Sequence, residues 1–145
     1  MLTTDQKGAI AESAIVHEAI KLGIGVFKPL TDGERYDLIF DLRPRLMRVQ
    51  CKWARRDGDV VIVRCRSCRR TRDGLVHRGY TRTEVDAIAG YCAELNRSYL
   101  VPIDRFEGMS DLQLRLAPAR NNQRLRINWA DEFGLEARLK GLVGP

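Results

Sequence analysis

No apolar run in this 145-residue chain approaches the ~20 residues that a membrane-crossing helix needs. The opening "MLTTDQKGAIAE" has neither the basic start nor the apolar core of a secretion signal, so a cytoplasmic protein is expected. In that compartment its four cysteines stay reduced thiols. Cys65 and Cys68 have the C-x-x-C spacing of half a zinc site. A structural zinc needs four ligands, and no second closely spaced pair exists, so zinc is not expected there. Cys51 and Cys92 read as strand residues, where buried free thiols are common. Internal repeats, linkers and low-complexity segments are also missing, which leaves one domain over residues 1–145, long enough to bury a core unaided.

What is abundant is arginine. The chain holds 20 Arg and 5 Lys against 19 acidic residues, for a net charge of +6 and a pI near 9.5. Arginine grips phosphates through a planar fork, so a polyanionic partner is the first expectation.

Residues 4–22 read as a helix, with Thr4 or Asp5 as N-cap and Gly23 at the C′ position. Ala9, Val16, Ala19 and Ile20 share a sector with Glu12, whereas Lys7, Glu18 and Lys21 cluster on the far side. A carboxylate on an apolar sector is costly unless a cation meets it; Glu18 reads as a solvated charge, and His17 as a surface histidine. The run "IGVFKPL" (24–30) is short and apolar, and "TDGE" (31–34) is turn chemistry. Strands are predicted over 35–42, 46–53 and 59–66, with "RPR" (43–45) as a hairpin and 67–82 as a basic loop. Thr83, Glu84 and Asp86 cap a short helical turn, followed by the strands "AIAGYC" and "YLVPI" across the turn at 93–98. Ile127 and Trp129 suit a strand end, and Ala130–Leu142 a weak amphipathic helix. Tyr36, Trp53 and Trp129 read as core residues.

The polar residues of the first strand pair pose a chemical question. Strand side chains alternate, so Gln50 and Lys52 point one way and Val49, Cys51 and Trp53 the other. An antiparallel hairpin brings Asp37 beside the Gln50–Lys52 end of its partner, and the first helix can lay Glu12 over the same place. Phosphodiester hydrolysis has a use for that set. A divalent metal polarises the phosphate and lowers the pKa of a water, and Mg²⁺ takes oxygen ligands from one or two carboxylates. Asp37 can be a direct ligand, Glu12 a ligand through water, and the Gln50 side-chain oxygen and the Cys51 backbone carbonyl further ones. Lys52 would orient the water and offset developing negative charge.

A helix Glu, a strand Asp and an E/Q-x-K on the next strand resemble the PD-(D/E)xK nuclease superfamily. More narrowly, "KGAIAE" (7–12), "RYDL" (35–38), "QCK" (50–52), "EVDAIAGYCAELNRSYLVPI" (84–103) and "NNQRLRINWADEF" (121–133) are similar to the group I intron-associated homing endonucleases of that superfamily. The resemblance implies an α/β restriction-endonuclease-like core, a central mixed β-sheet flanked by helices. It implies Glu12, Asp37, Gln50 and Lys52 as the catalytic site, Mg²⁺ or Mn²⁺ as cofactor, double-stranded DNA as substrate, and assembly as a homodimer or homotetramer. Gln50 stands where Glu is usual in the superfamily and resembles the narrower family's own variant. Two rival readings share parts of the pattern: a Holliday-junction resolvase-like nuclease, and a DNA-binding module with a decayed nuclease site.

Seven arginines fall between positions 64 and 82: Arg64, Arg66, Arg69, Arg70, Arg72, Arg78 and Arg82, with His77 and Tyr80 among them. Such a segment beside the site is expected to contact DNA phosphates or base edges. Arg35, Arg55 and Arg56 flank the site, and Arg120, Arg124 and Arg126 form a weaker second group.

Overall fold

A computed structural model describes residues 1–118 and 127–144. Arg120, Arg124 and Arg126 lie outside the described residues.

Helix α1 (Thr4–Lys21) is capped by Thr3 rather than by Thr4 or Asp5. The Thr3 hydroxyl accepts the Gln6 N–H at 3.1 Å, and the Gln6 side chain accepts the Thr3 N–H at 2.9 Å, a reciprocal capping box. The helix stops where expected, with Gly23 at φ +80°, a left-handed conformation that costs glycine little. Its buried seam is the i, i+4, i+8 stripe Ala11, Ile15 and Ala19, whereas Ala9 and Ile20 are exposed. An alanine-rich helix is only weakly amphipathic, so its wheel left the buried face underdetermined. Glu12 thus sits at the rim of the seam. Glu18 departs from its expected solvated state, since burial raises its pKa.

Seven strands form a mixed sheet: β1 (Gly25–Phe27), β2 (Leu38–Asp41), β3 (Leu46–Asp57), β4 (Val60–Arg64), β7 (Ala87–Cys92), β8 (Arg97–Pro102) and β9 (Asp111–Arg115). A separate two-stranded ribbon, β5 (Arg66–Thr71) with β6 (Gly74–Gly79), occupies the stretch expected to be a loop. β3 is the spine. Its first half pairs antiparallel with β2 (Leu38↔Val49), its middle pairs parallel with β7 (Gln50↔Ile88), and its end pairs antiparallel with β4 (Arg56↔Val61). β4 then pairs with β9, a strand missed in the sequence although Leu112 and Leu114 alternate with polar neighbours.

Two apolar clusters result. One lies between the sheet and the helices α1 and α2 (Leu135–Leu142), joining Ile15, Phe40, Val49, Ala87, Ala89, Leu100 and Leu139. The other lies on the opposite face, under β4 and β9, and holds Ala54, Val63, Ile88, Tyr99, Val101, Leu112 and Phe133. β7 feeds both clusters, which explains the unbroken apolar run "AIAGYC" in a parallel-paired strand. The C-terminal helix is shorter than expected because Ala130–Phe133 forms a separate 3₁₀ turn before Gly134.

The expected helical cap at 83–86 is also different. Thr81, not Thr83, caps the turn, taking the Glu84 carboxylate on its N–H and hydroxyl. Asp86 instead fastens β7 to β3, accepting from the Arg48 backbone N–H at 2.8 Å and pairing with its guanidinium.

Candidate functional site

The site forms where β3 changes partners. β2 covers one edge of β3 only as far as Val49, and β4 takes up that edge only from Arg55, so residues 50–54 have no strand neighbour there. An unpaired strand edge presents polar groups that need partners. The Asp37 N–H reaches the Val49 carbonyl at 2.9 Å, and the Asp37 carboxylate then accepts the Cys51 N–H at 2.9 Å. A side chain thus completes the ladder that the backbone of β2 leaves off. Because the N–H and C=O of a strand residue face the same edge, the Cys51 carbonyl points into this gap too.

Burial raises the pKa of Asp37; the Cys51 N–H and the Lys52 and Lys28 charges oppose the shift, and the Glu12 charge adds to it. Desolvation likewise pushes the pKa of the half-buried Cys51 thiol far up, and the Asp37 and Glu12 charges add to the shift. Lys52 lies on the other face, as alternation predicts. Its ammonium donates to the Arg66 carbonyl at 3.2 Å and stands 5.2 Å from the centre of the Tyr80 ring. Burial lowers its pKa, the Asp37 charge opposes that, and Arg64 and Arg35 add to the lowering. Glu12 approaches from α1 and forms an ion pair with Lys28. Lys28 was not singled out in the sequence, where it reads only as the end of a short apolar run before Pro29. Gln50 is half-buried.

Oxygen donors dominate this set: the Asp37 and Glu12 carboxylates, the Gln50 amide and the Cys51 carbonyl. That is the chemistry a hard divalent cation requires, and the Lys28 charge on Glu12 already balances negative charge there. Among the described residues no group of three or more His, Cys, Asp or Glu side chains comes together, so a cation here would depend on amide, carbonyl and water oxygens as well. Cys65 is buried, its thiol donating to the Val63 carbonyl with a pKa pushed up to about 12, whereas Cys68 is exposed on the ribbon.

The arginines divide into two sets. Arg35 is engaged with the protein: it donates to Ser67 Oγ at 2.8 Å and to the Gly79 carbonyl at 2.8 Å, pairs with Glu84 at 3.2 Å, and stacks on Tyr80 at 4.2 Å. Tyr80 is buried, with its phenol pushed up to about 12, and so acts as a platform between Arg35 and Lys52. Arg78 pairs with Glu84, Arg82 with Glu107, Arg66 with Ser110, and Arg56 with the Gly58 carbonyl. Arg55, Arg64, Arg69, Arg70 and Arg72 are exposed, with no side-chain partner among the described residues. A cleft of about 870 Å³ lies elsewhere, between α1 and α2, lined by His17, Glu18, Lys21, Arg97 and Asp131. None of the catalytic candidates lines it, and its mixed charge gives a polyanion no preference.

No helix among the described residues is long and apolar enough to cross a membrane. No curated protein is significantly similar in sequence. A solved structure titled as that of a bacterial homing endonuclease, I-Ssp6803I, superposes with a TM-score of 0.74 at 30% identity, covering 96% of this chain and 93% of the other. The sequence profile of PD-(D/E)XK endonucleases spans residues 2–136. With the mixed sheet, the forked β3 and that span in agreement, the chain belongs to the PD-(D/E)XK endonuclease family.

Proposed function

We propose that the protein is a Mg²⁺-dependent homing-type endonuclease that hydrolyses both strands of a specific DNA duplex as a homodimer or homotetramer. The observation that carries this reading is the Asp37 carboxylate seated in the gap of β3, beside Glu12 and Lys52. Asp37, Glu12, Gln50 and the Cys51 carbonyl would hold the metal, with Mn²⁺ as a substitute. When bound, the metal supplies Lewis-acid polarisation of the scissile phosphate and a more acidic water.

The chain's own groups do the rest. The Cys51 N–H aims the Asp37 carboxylate and keeps it from rotating away. Lys52 carries a proton on an amine whose burial makes it a better acid than a solvated lysine, so it can stabilise charge building on the phosphate and exchange a proton with water. Tyr80 and the Arg66 carbonyl hold that amine in place. One chain carries one such site, so cutting two strands calls for at least two copies, and closed symmetric assembly is the usual route.

The test is cleavage of plasmid, linear duplex and four-way-junction DNA with Mg²⁺ or with chelator, beside Asp37→Ala. Metal-dependent duplex cutting that Asp37→Ala abolishes is the expected result. Preferential cutting of junctions regardless of sequence would instead indicate a resolvase, and salt-sensitive binding with no cutting of any of these substrates, nor of a randomised duplex library, a decayed site.

A further inference from the structure

The β5–β6 ribbon has properties that its own fold does not explain. A two-stranded ribbon alone is marginal in water, yet all of β6 is exposed, including Leu75 and Val76 at 55% and 47%. Residues 66–79 carry five arginines against one aspartate. Its base is fastened to the candidate site and its flank: the Arg66 carbonyl takes the Lys52 ammonium, and Ser67 and Gly79 are held by Arg35. A basic ribbon with uncovered apolar side chains, anchored beside the proposed phosphate-cleaving site, fits a DNA major groove, which is wide enough to admit a two-stranded β-ribbon.

Resting on the nuclease reading above, we infer that this ribbon is the sequence-reading arm, lying in the major groove beside the cut with the face of Arg69 and Val76 toward the base edges. Register assigns the faces. Partners across the ribbon share a face, so Ser67 with Arg78, and Arg69 with Val76, lie on one side, and Cys68 with His77, and Arg70 with Leu75, on the other. At its base the first face is joined to Lys52 through Arg35, which bonds Ser67 and stacks on the Tyr80 ring that the Lys52 ammonium also faces, whereas Arg66 on the second face turns away to Ser110. A duplex that brings a phosphate to Asp37 therefore meets the Arg69 face. Arg69, exposed and without a side-chain partner among the described residues, can present its fork to guanine O6 and N7, and Val76 can touch a thymine methyl. Six residues at about 3.3 Å reach about 20 Å, or about six base-pair steps from the scissile bond.

The experiment cleaves a randomised duplex library with wild type, Arg69→Ala and Arg70→Ala, and sequences the ends, which register every preference to the cut. The same library is selected for binding in chelator, so the ribbon is tested even if nothing is cut. Thermal melts check that the two exposed substitutions leave the fold intact. Expected is a loss of base preference in Arg69→Ala, by about 5- to 150-fold at one or two positions within about six of the cut. Arg70→Ala is expected to weaken binding evenly across sequences. An even loss in Arg69→Ala with preferences intact, or a loss of preference in Arg70→Ala instead, would overturn the assignment. Absence of metal-dependent cutting by wild type would count against the nuclease reading alone, because the binding selection still reports on Arg69.

Discussion

At the scale of single residues, the site holds charge that the fold does not need. Asp37 is half-buried with a raised pKa, so ionising it costs stability, and an amide at the same position can still accept the Cys51 N–H. Asp37→Asn is expected to abolish cleavage while raising stability by about 0.5–2 kcal/mol, about 1–8 °C in Tm. The sign follows from linkage: a raised folded-state pKa means that the wild type loses stability as pH rises through that value. The advantage of the variant should therefore vanish when melts are run below the ordinary carboxylate range. Gly90 makes a contrasting case. A Cβ there would stand 3.2 Å from Val63 Cγ2 and 3.4 Å from Ala54 Cβ, because β4 packs directly over β7. Gly90→Val should cost about 1–3 kcal/mol in denaturant unfolding, with the site chemistry unchanged.

At the scale of elements, β3 depends on clamps at its edges. Burial alone would raise the pKa of Asp86, but its bonds to the Arg48 guanidinium and backbone N–H outweigh that and hold it below the usual carboxylate range. Arg48 also donates to the Thr83 carbonyl at 2.6 Å and to the Arg82 carbonyl, so one side chain ties β3 to the segment entering β7. Asp86→Asn is expected to cost about 1–3 kcal/mol near neutral pH. A depressed folded-state pKa contributes stability above the unfolded value, about pH 4, and loses it as pH falls through the folded value. Urea midpoints of variant and wild type should accordingly converge in strong acid. The ribbon shows why some elements escaped the sequence. Apart from the half-buried Arg66, Ser67 and Thr71 the ribbon is exposed on both faces, so the apolar–polar alternation that marks a half-buried strand is absent, and arginine-rich strands look like a loop.

At the scale of the whole molecule, a net charge of +6 understates how unevenly cations are available. Arg35, Arg48, Arg78, Arg82 and Arg97 are paired with carboxylates, while Arg55, Arg64, Arg69, Arg70 and Arg72 are free among the described residues. Three to five phosphate contacts from that free set predict that log K for duplex DNA falls with log salt at a slope of about −3 to −5. A fluorescence-anisotropy titration at several salt concentrations measures it, and a slope near zero would leave the free arginines without a phosphate role.

The sequence by itself determined the family and supplied the residues of the candidate site: a helix Glu, Asp37 ahead of a strand, Gln50 and Lys52 two apart, and an arginine excess. Each of these is a local property, of residue type and strand period, and local properties are written in the chain. Tertiary structure alone decided that Asp37 bonds the Cys51 N–H in a gap left by β2 and β4, that Lys28 meets Glu12, and that Arg35 holds the ribbon. Those contacts join residues 14 to 44 positions apart. Which of many polar groups meets which across such separations depends on how β3 is paired along its length, and no local pattern encodes that pairing.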